Sequence, residues 1–277
     1  MKIKAGDTVL LTGASGGLGT GMARALAKLK VKLALAAHPG VNLEGLRQEI
    51  EKNGARAIAI SSDLREPAGR RELLQRVERT LGPIDILINN AGIEFTSQYH
   101  DLNEESICDV LNVNLEAPMI LSRLALPGML ERRRGHIVNV SSLAGKAGPA
   151  FQEPYAASKA GLIAFTSSLR ATYRGTGVSA SVIVPGFVEA GIYAKLKERT
   201  GCTAPALLGT SPPEAVTRAV MRAIEGDLPE VIVNAFPVRP LFAFTALFPR
   251  GGEWAIRKTG ANQFFERVVR MQKQQQS

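Results

Sequence analysis

The chain has 277 residues, 45% of them hydrophobic, and a formal net charge of +9, enough for one large α/β domain with a buried core. The opening residues, MKIKAGDTVLLTG, carry no apolar run before a small-residue cleavage site, and Cys108 and Cys202 are too far apart for a disulfide framework or a CxxC motif, so a reducing, cytoplasmic setting with no metal site is expected. The only compact basic run, Arg132-Arg133-Arg134, follows an apolar helical stretch and precedes Gly135; with no interleaved aromatics it reads as a helix C-terminus and not as a nucleic-acid surface.

Residues 8–12 form a continuous apolar run, as a strand covered on both faces should. A glycine-rich turn follows, then Met22, Ala23, Leu26, Ala27 and Leu29 at helical spacing. A second strand is predicted over 31–36, a helix capped by Asn42 after it, a third strand over 57–60 and a helix opening near Pro67. Residues 84–88 read as strand four and about 103–130 as one long helical region. Strand five covers 136–140, a helix 155–173, strand six 178–184, a helix 214–224 and strand seven 231–233. Strands alternating with helices predict a Rossmann-type, doubly wound parallel sheet: one domain over residues 1–235, with a short C-terminal extension over 236–277.

In such a sheet ligands bind beyond the carboxyl ends of the strands, and five informative segments directly follow predicted strands. The first joins strand one to helix one: Gly13, Ser15, Gly16, Gly17, Leu18 and Gly19, in the sequence TGASGGLG. Glycines admit a pyrophosphate close to the backbone, and the helix N-terminus favours its charge. Gly13, Gly17 and Gly19 fit TGxxxGxG, and Gly13, Gly16 and Gly19 fit GxxGxxG; this segment alone leaves both open. After strand two stands Ala37-His38-Pro39, with no carboxylate to hold a ribose 2′-hydroxyl or repel a 2′-phosphate. His38 could donate to such a phosphate, so NADP(H) is expected in preference to NAD(H), although no Lys or Arg stands at that strand end or in the glycine turn. Asp63-Leu64 after strand three could meet the adenine amino group or cap the next helix. Asn90-Ala91-Gly92 after strand four lets backbone pass close to a ribose, or is a simple turn.

Tyr155 and Lys159 are four residues apart, on one helix face. A cation beside a phenol favours phenolate, which predicts a lowered pKa and a usable general acid/base. Ser142, at the end of strand five, could bind a substrate oxygen as charge develops; Ser141 is its rival, since only one can face the cleft.

Together with Asn114 and Pro185-Gly186, these segments resemble the classical short-chain dehydrogenase/reductase family over about residues 6–235. The resemblance implies an oxidoreductase interconverting a carbonyl and an alcohol. It implies Tyr155 as proton donor or acceptor, Ser142 polarising the substrate oxygen, and Lys159 binding the nicotinamide ribose and tuning Tyr155. It also implies Asn114 holding a water linked to Lys159, with Pro185, Gly186 and Val188 flanking the nicotinamide. Two features depart from the pattern: Ala190 stands where a Thr is frequent, and the glycine turn lacks a basic residue.

Residues 189–210 are expected to form a partly apolar substrate lid. Phe242, Phe244, Leu247 and Phe248 are spaced so that a helix would gather several of them on one face, and that face should bury against a pocket or a second subunit, ahead of any membrane contact through 236–250. The expected partners are a lipophilic carbonyl or alcohol, such as a ketone, aldehyde or 3-oxoacyl compound, and further copies of the chain in a homo-oligomer. Two other readings of the same fold are an epimerase or dehydratase, which the GxxGxxG match permits, and a non-catalytic NADP(H)-sensing protein.

Overall fold

In the computed structural model, which describes residues 1–276, strand β1 (Thr8–Thr12) is buried along its whole length. Its side chains alternate between two cores, because successive Cβ atoms point to opposite faces of a sheet. Val9 and Leu11 join Met22, Leu26, Val216 and Val220 on one face. Leu10 joins Leu73, Val77, Leu121 and Met129 on the other. The chain then forms α1 (Gly17–Ala27), β2 (Lys32–Ala37), α2 (Glu44–Lys52), β3 (Arg56–Ser61), α3 (Pro67–Leu81) and β4 (Ile86–Asn89). After α4 (Glu104–Leu111) and α5 (Ala117–Glu131) come β5 (Gly135–Val140), α6 (Glu153–Thr172) and β6 (Val178–Pro185). The rest comprises α7 (Gly191–Thr200), α8 (Pro213–Glu225), β7 (Glu230–Val233), α9 (Arg239–Leu247), α10 (Pro249–Lys258) and α11 (Ala261–Gln276).

The strands pair in parallel in the order β3-β2-β1-β4-β5-β6-β7, so the order reverses between β1 and β4. The loops after these two strands diverge to opposite faces and leave a crevice at the carboxyl edge. A buried polar chain ties the centre of the sheet to α6: Asn89 donates to Asn139 (2.8 Å), which donates to Thr166 (2.8 Å).

Two sequence expectations change, on the helical region and on the aromatic face, and the lid region gains a helix. The helical region over 103–130 is not continuous: a π-turn over Asn112–Glu116 separates α4 from α5, and such single turns re-aim a side chain without ending the helix. The lid region contains α7, whose Tyr193 and Leu196 are buried with Phe264 and Phe265 of α11. The aromatic face of the extension is only partly covered: Phe242 lines a pocket, whereas Phe244, Leu247 and Phe248 are exposed. The basic run is tied down within the fold, as Arg134 pairs with Asp7 at 2.8 Å and Arg132 donates to Ile84 O at 2.8 Å.

Candidate active site

A cleft of about 390 Å³ runs along the carboxyl edge of the sheet. Its floor midway along is the glycine turn, after the central strand β1. Gly13 has φ +64°, and a Cβ there would lie 2.8 Å from Ala91 Cα; at Gly17 it would lie 2.9 Å from the Ala190 methyl, and at Gly19 it would run into the Gly13 carbonyl oxygen. At Gly16 the nearest atom would be 3.5 Å away, an ordinary contact. The packing therefore demands glycine at 13, 17 and 19 and not at 16, which selects TGxxxGxG over GxxGxxG. Helix α1 starts at Gly17 with no side-chain cap on its first amides, leaving donors and the positive end of the dipole facing the cleft. This glycine cradle fits a dinucleotide pyrophosphate.

Thr12 and Asn90 shape the turn. The Thr12 hydroxyl accepts from Asn90 N (3.0 Å) and Ala91 N (3.1 Å). The Asn90 amide donates to the Thr12 and Gly13 carbonyls, each at 3.1 Å. Asn90 thus lines the cleft but spends its side-chain donors on the glycine turn. Ser15, Leu18, Ala91, Gly92, Leu64, Pro185, Gly186 and Val188 also line the cleft.

Beside the glycine turn, the pairing of Ala37 with Ser61 brings the loops after β2 and β3 together. His38 Nε2 lies 3.5 Å from Asp63 Oδ2. Asp63 does not cap α3. Its Oδ1 accepts from Arg65 N (2.9 Å), and Arg65 Nη2 donates to Oδ2 at 2.7 Å. That contact holds the carboxyl well below its ordinary value, at about 2. Arg65 is the cation that the sequence reading missed. Its Nη2 is 3.4 Å from His38 Nε2, and Nη1 donates to Asp109 at 3.0 Å. It follows β3, not β2 or the glycine turn; only the register of β2 against β3 brings it to His38.

The third wall carries the polar side chains. Ser141 continues β5, with its N–H donating to Ile183 O at 2.8 Å. Its hydroxyl is buried and donates to Lys159 O at 2.8 Å. Ser142 therefore takes the cleft side, with Oγ accepting from Ala144 N at 3.2 Å. The short turn beyond it packs directly on α6: a Cβ at Gly145 would stand 2.6 Å from the Lys159 carbonyl carbon. This approach sets Ser142 against Tyr155, where their hydrogen bonding draws the phenol's pKa down. Burial outweighs it and pushes the phenol up to about 12, with Glu94 adding in the same direction. The expected depression by Lys159 is thus reversed. The ammonium lies 5.6 Å from the ring centroid and donates to Val140 O at 3.0 Å, while burial lowers its own pKa to about 8. Both charged forms are disfavoured where little water reaches.

Asn114, carried inward by the π-turn, is fully buried. It accepts from Ile93 N (2.9 Å) and donates to Ile93 O (2.8 Å) and Ser158 Oγ (3.2 Å). Its side chain clamps the loop after β4 to α6, so the positions of Gly92 and Lys159 are coupled through it.

A second cavity, of about 150 Å³, adjoins Ser142 and Tyr155. Beyond these hydroxyls its wall is mostly apolar, with Gln152 and Thr259 as polar exceptions: Leu143, Phe187, Ile192 and Leu208 from the loops and α7, and Leu241, Phe242 and Ile256 from α9 and α10. The rings of Phe187 and Phe264 meet edge to face at 5.1 Å, and those of Phe264 and Phe265 at 4.9 Å, fastening α11 behind the pocket.

The family model described as short chain dehydrogenase matches residues 7–201. The chain belongs to the short-chain dehydrogenase/reductase family. The ketoacyl reductase HetN of Nostoc sp. is 44% identical over 233 residues, 84% of this chain and 80% of that protein. The 3-oxoacyl-[acyl-carrier-protein] reductase FabG of Rickettsia bellii is 32% identical over 230 residues, 83% of this chain and 87% of that protein. Among solved structures, a metagenomic short-chain oxidoreductase in complex with NADP superposes with a TM-score of 0.71 at 30% identity, covering 83% of this chain and 97% of that one. As a family member the chain is an oxidoreductase acting on a carbonyl/alcohol pair with a nicotinamide dinucleotide. No helix among the described residues is long and apolar enough to cross a membrane.

Proposed function

We propose that the protein reduces a lipophilic ketone, aldehyde or 3-oxoacyl compound to the alcohol, using NADPH, in the cytoplasm and as a homo-oligomer. The observation carrying this reading is the apolar cavity that ends on Ser142 and Tyr155 and is walled by the C-terminal extension. A carbonyl oxygen would sit between the two hydroxyls, with an apolar tail against Phe187, Leu241, Phe242 and Ile256. The resemblance to proteins named ketoacyl reductase and 3-oxoacyl reductase supports the same chemistry.

In this reading the glycine turn and the α1 amides would hold the pyrophosphate, and Pro185, Gly186 and Val188 would flank the nicotinamide, which would supply the hydride. Ser142 holds the carbonyl oxygen and donates to it as negative charge develops. Tyr155 delivers the proton. Burial holds the phenol above its ordinary value, at about 12, so it keeps its proton at neutral pH, the state needed to donate to an alkoxide. Lys159 adds positive charge beside the site, and Asn114 keeps the loop and α6 in register.

The test is a panel of ketones, aldehydes and 3-oxoacyl compounds of increasing chain length, read by loss of NADPH absorbance. Long apolar members should give the higher kcat/KM. Phe242→Ala opens the apolar wall and should lower kcat/KM for long members by about tenfold while changing short ones little, since a half-buried ring contributes at the lower end of the about 1.5–3 kcal/mol of a fully buried one. Absence of turnover across the panel would sink the reading.

The NADP(H) reading rests on Ala37-His38 offering no carboxylate and on Arg65 standing beside His38. Two aspartates fix the guanidinium and partly neutralise it. Arg65→Ser should therefore cut the NADPH:NADH ratio of kcat/KM by about tenfold, near the lower end for a hydrogen bond to a charged group. Ala37→Asp should move the ratio further the same way. A wild-type enzyme that already prefers NADH overturns this part.

A further inference from the structure

Helices α9 and α10 present two apolar surfaces, and only one is used. They pack tightly through Gly252, where a Cβ would stand 2.6 Å from Thr245 Cα. Their inner sides give Leu241, Phe242, Ile256 and Thr259 to the pocket. Their outer sides carry Phe244, Leu247, Phe248 and Trp254, exposed by 41%, 74%, 58% and 61%. These form one patch. The Phe244 and Phe248 rings are 5.4 Å apart, and Phe244 lies over Gly251, one helical turn before Trp254. No residue of α9 is fully buried.

The charge around this patch is mostly positive. Arg250, Arg257 and Lys258 are all exposed, against the single carboxylate Glu253 in α10, while Arg239 at the start of α9 pairs with Glu230 at 3.5 Å. Arg250, Trp254 and Arg257 recur at helical spacing on one face of α10, and Lys258 Nζ lies 5.8 Å from the Trp254 ring. A second copy docked about a two-fold axis would set this face against itself, bringing like cations together with only Glu253 to offset them. An anionic lipid surface offers the complement: headgroups for the arginines and lysine, and a hydrocarbon boundary for the phenylalanines, leucine and tryptophan.

We propose that the outer face of α9 and α10 docks peripherally on an anionic lipid bilayer. The pocket wall then lies one helix thickness from the membrane, so a lipophilic substrate dissolved in the bilayer would meet the enzyme where it is concentrated. That consequence rests on the lipophilic-substrate reading; the docking does not, and it is tested without substrate.

Trp254 is the chain's only tryptophan, so its fluorescence reports the patch directly. The full chain is mixed with phosphatidylglycerol vesicles and, separately, with phosphatidylcholine vesicles. The expected result is a blue shift and co-sedimentation with the anionic vesicles, weakening as salt is raised. Arg250→Gln with Arg257→Gln and Lys258→Gln should lower the partition coefficient about fivefold per cation removed. Phe244→Ser with Leu247→Ser and Phe248→Ser should lower it at least tenfold. Both variants should keep wild-type turnover of a short, water-soluble carbonyl, which shows that they fold. No blue shift and no sedimentation at low salt overturn the proposal. So does binding that ignores lipid charge and the glutamine substitutions. A dimer that the serine variant dissociates, without vesicle binding, assigns the face to self-association instead.

Discussion

Replacing Tyr155 with Phe is expected to lower kcat for carbonyl reduction by about 10²–10⁴-fold, the range of a single general acid, while the affinity for NADPH changes little. The phenol hydroxyl stands with Ser142 at the junction of the cleft and the apolar cavity. Removing it leaves the glycine turn, Asn90 and the α1 amides untouched. The fold should also be unaffected, because the ring remains and the lost group is one whose ionisation burial already disfavours. Single-turnover reduction separates the steps: nucleotide binding, followed by fluorescence, should match wild type while the chemical step slows. Ser142→Ala should slow the same step, and the double variant should lose less than the two losses combined, because both hydroxyls act on one oxygen. A Tyr155→Phe variant with wild-type kcat would remove the proton-donor assignment and leave only a shape role for the ring.

Most of the sheet was legible because a fully buried parallel strand needs a mostly apolar run, and residues 9–11, 86–88 and 182–184 each supply an unbroken stretch of one. The cleft was legible for a related reason: each chemically distinctive segment comes straight after such a run. Less accessible were features set by contact between segments. The choice between Gly16 and Gly17 needed the Ala190 methyl against the turn. The choice between Ser141 and Ser142 needed the Lys159 carbonyl that engages Ser141. Arg65 escaped notice because its neighbour in space, His38, is 27 positions away in sequence. The π-turn at Asn112–Glu116 leaves the apolar periodicity nearly intact, so nothing in the pattern marks it. The pKa of Tyr155 was misjudged because helical spacing reports that a lysine is near, not how little water reaches either group.

The extension was harder still. Amphipathic reasoning assumes one buried face, and α9 with α10 have an apolar side toward the pocket and another toward solvent. The four large side chains divide between the two. Phe242 faces the cavity and belongs to substrate selection, whereas Phe244, Leu247 and Phe248 face outward. Substitutions on the two sides should therefore separate, the first changing chain-length preference and the second changing vesicle binding.

Lys159→Met should make the protein more stable at neutral pH while stripping it of most activity. Burial lowers the ammonium from its ordinary 10.5 to about 8, so the unfolded chain holds this proton more tightly than the folded one. Below pH 8 the full cost of keeping the charge buried is present, about 3 kcal/mol at 1.36 kcal/mol per pH unit. Between about pH 8 and 10.5 the unfolded state binds more protons, so wild-type stability should rise with pH through that window. Methionine removes the charge and fills similar space, but it leaves Val140 O without the 3.0 Å donor, an unmet acceptor costing about 1–3 kcal/mol. A net gain of about 1 kcal/mol at pH 7 is expected, shrinking to nothing or reversing by pH 10. Urea unfolding followed by far-ultraviolet circular dichroism at pH 6, 7, 8 and 10 measures it. A variant less stable than wild type at pH 7 would show that the ammonium's contacts in the fold outweigh its desolvation. A more stable but inactive variant would show that the charge is kept at the site for turnover, against its cost to folding.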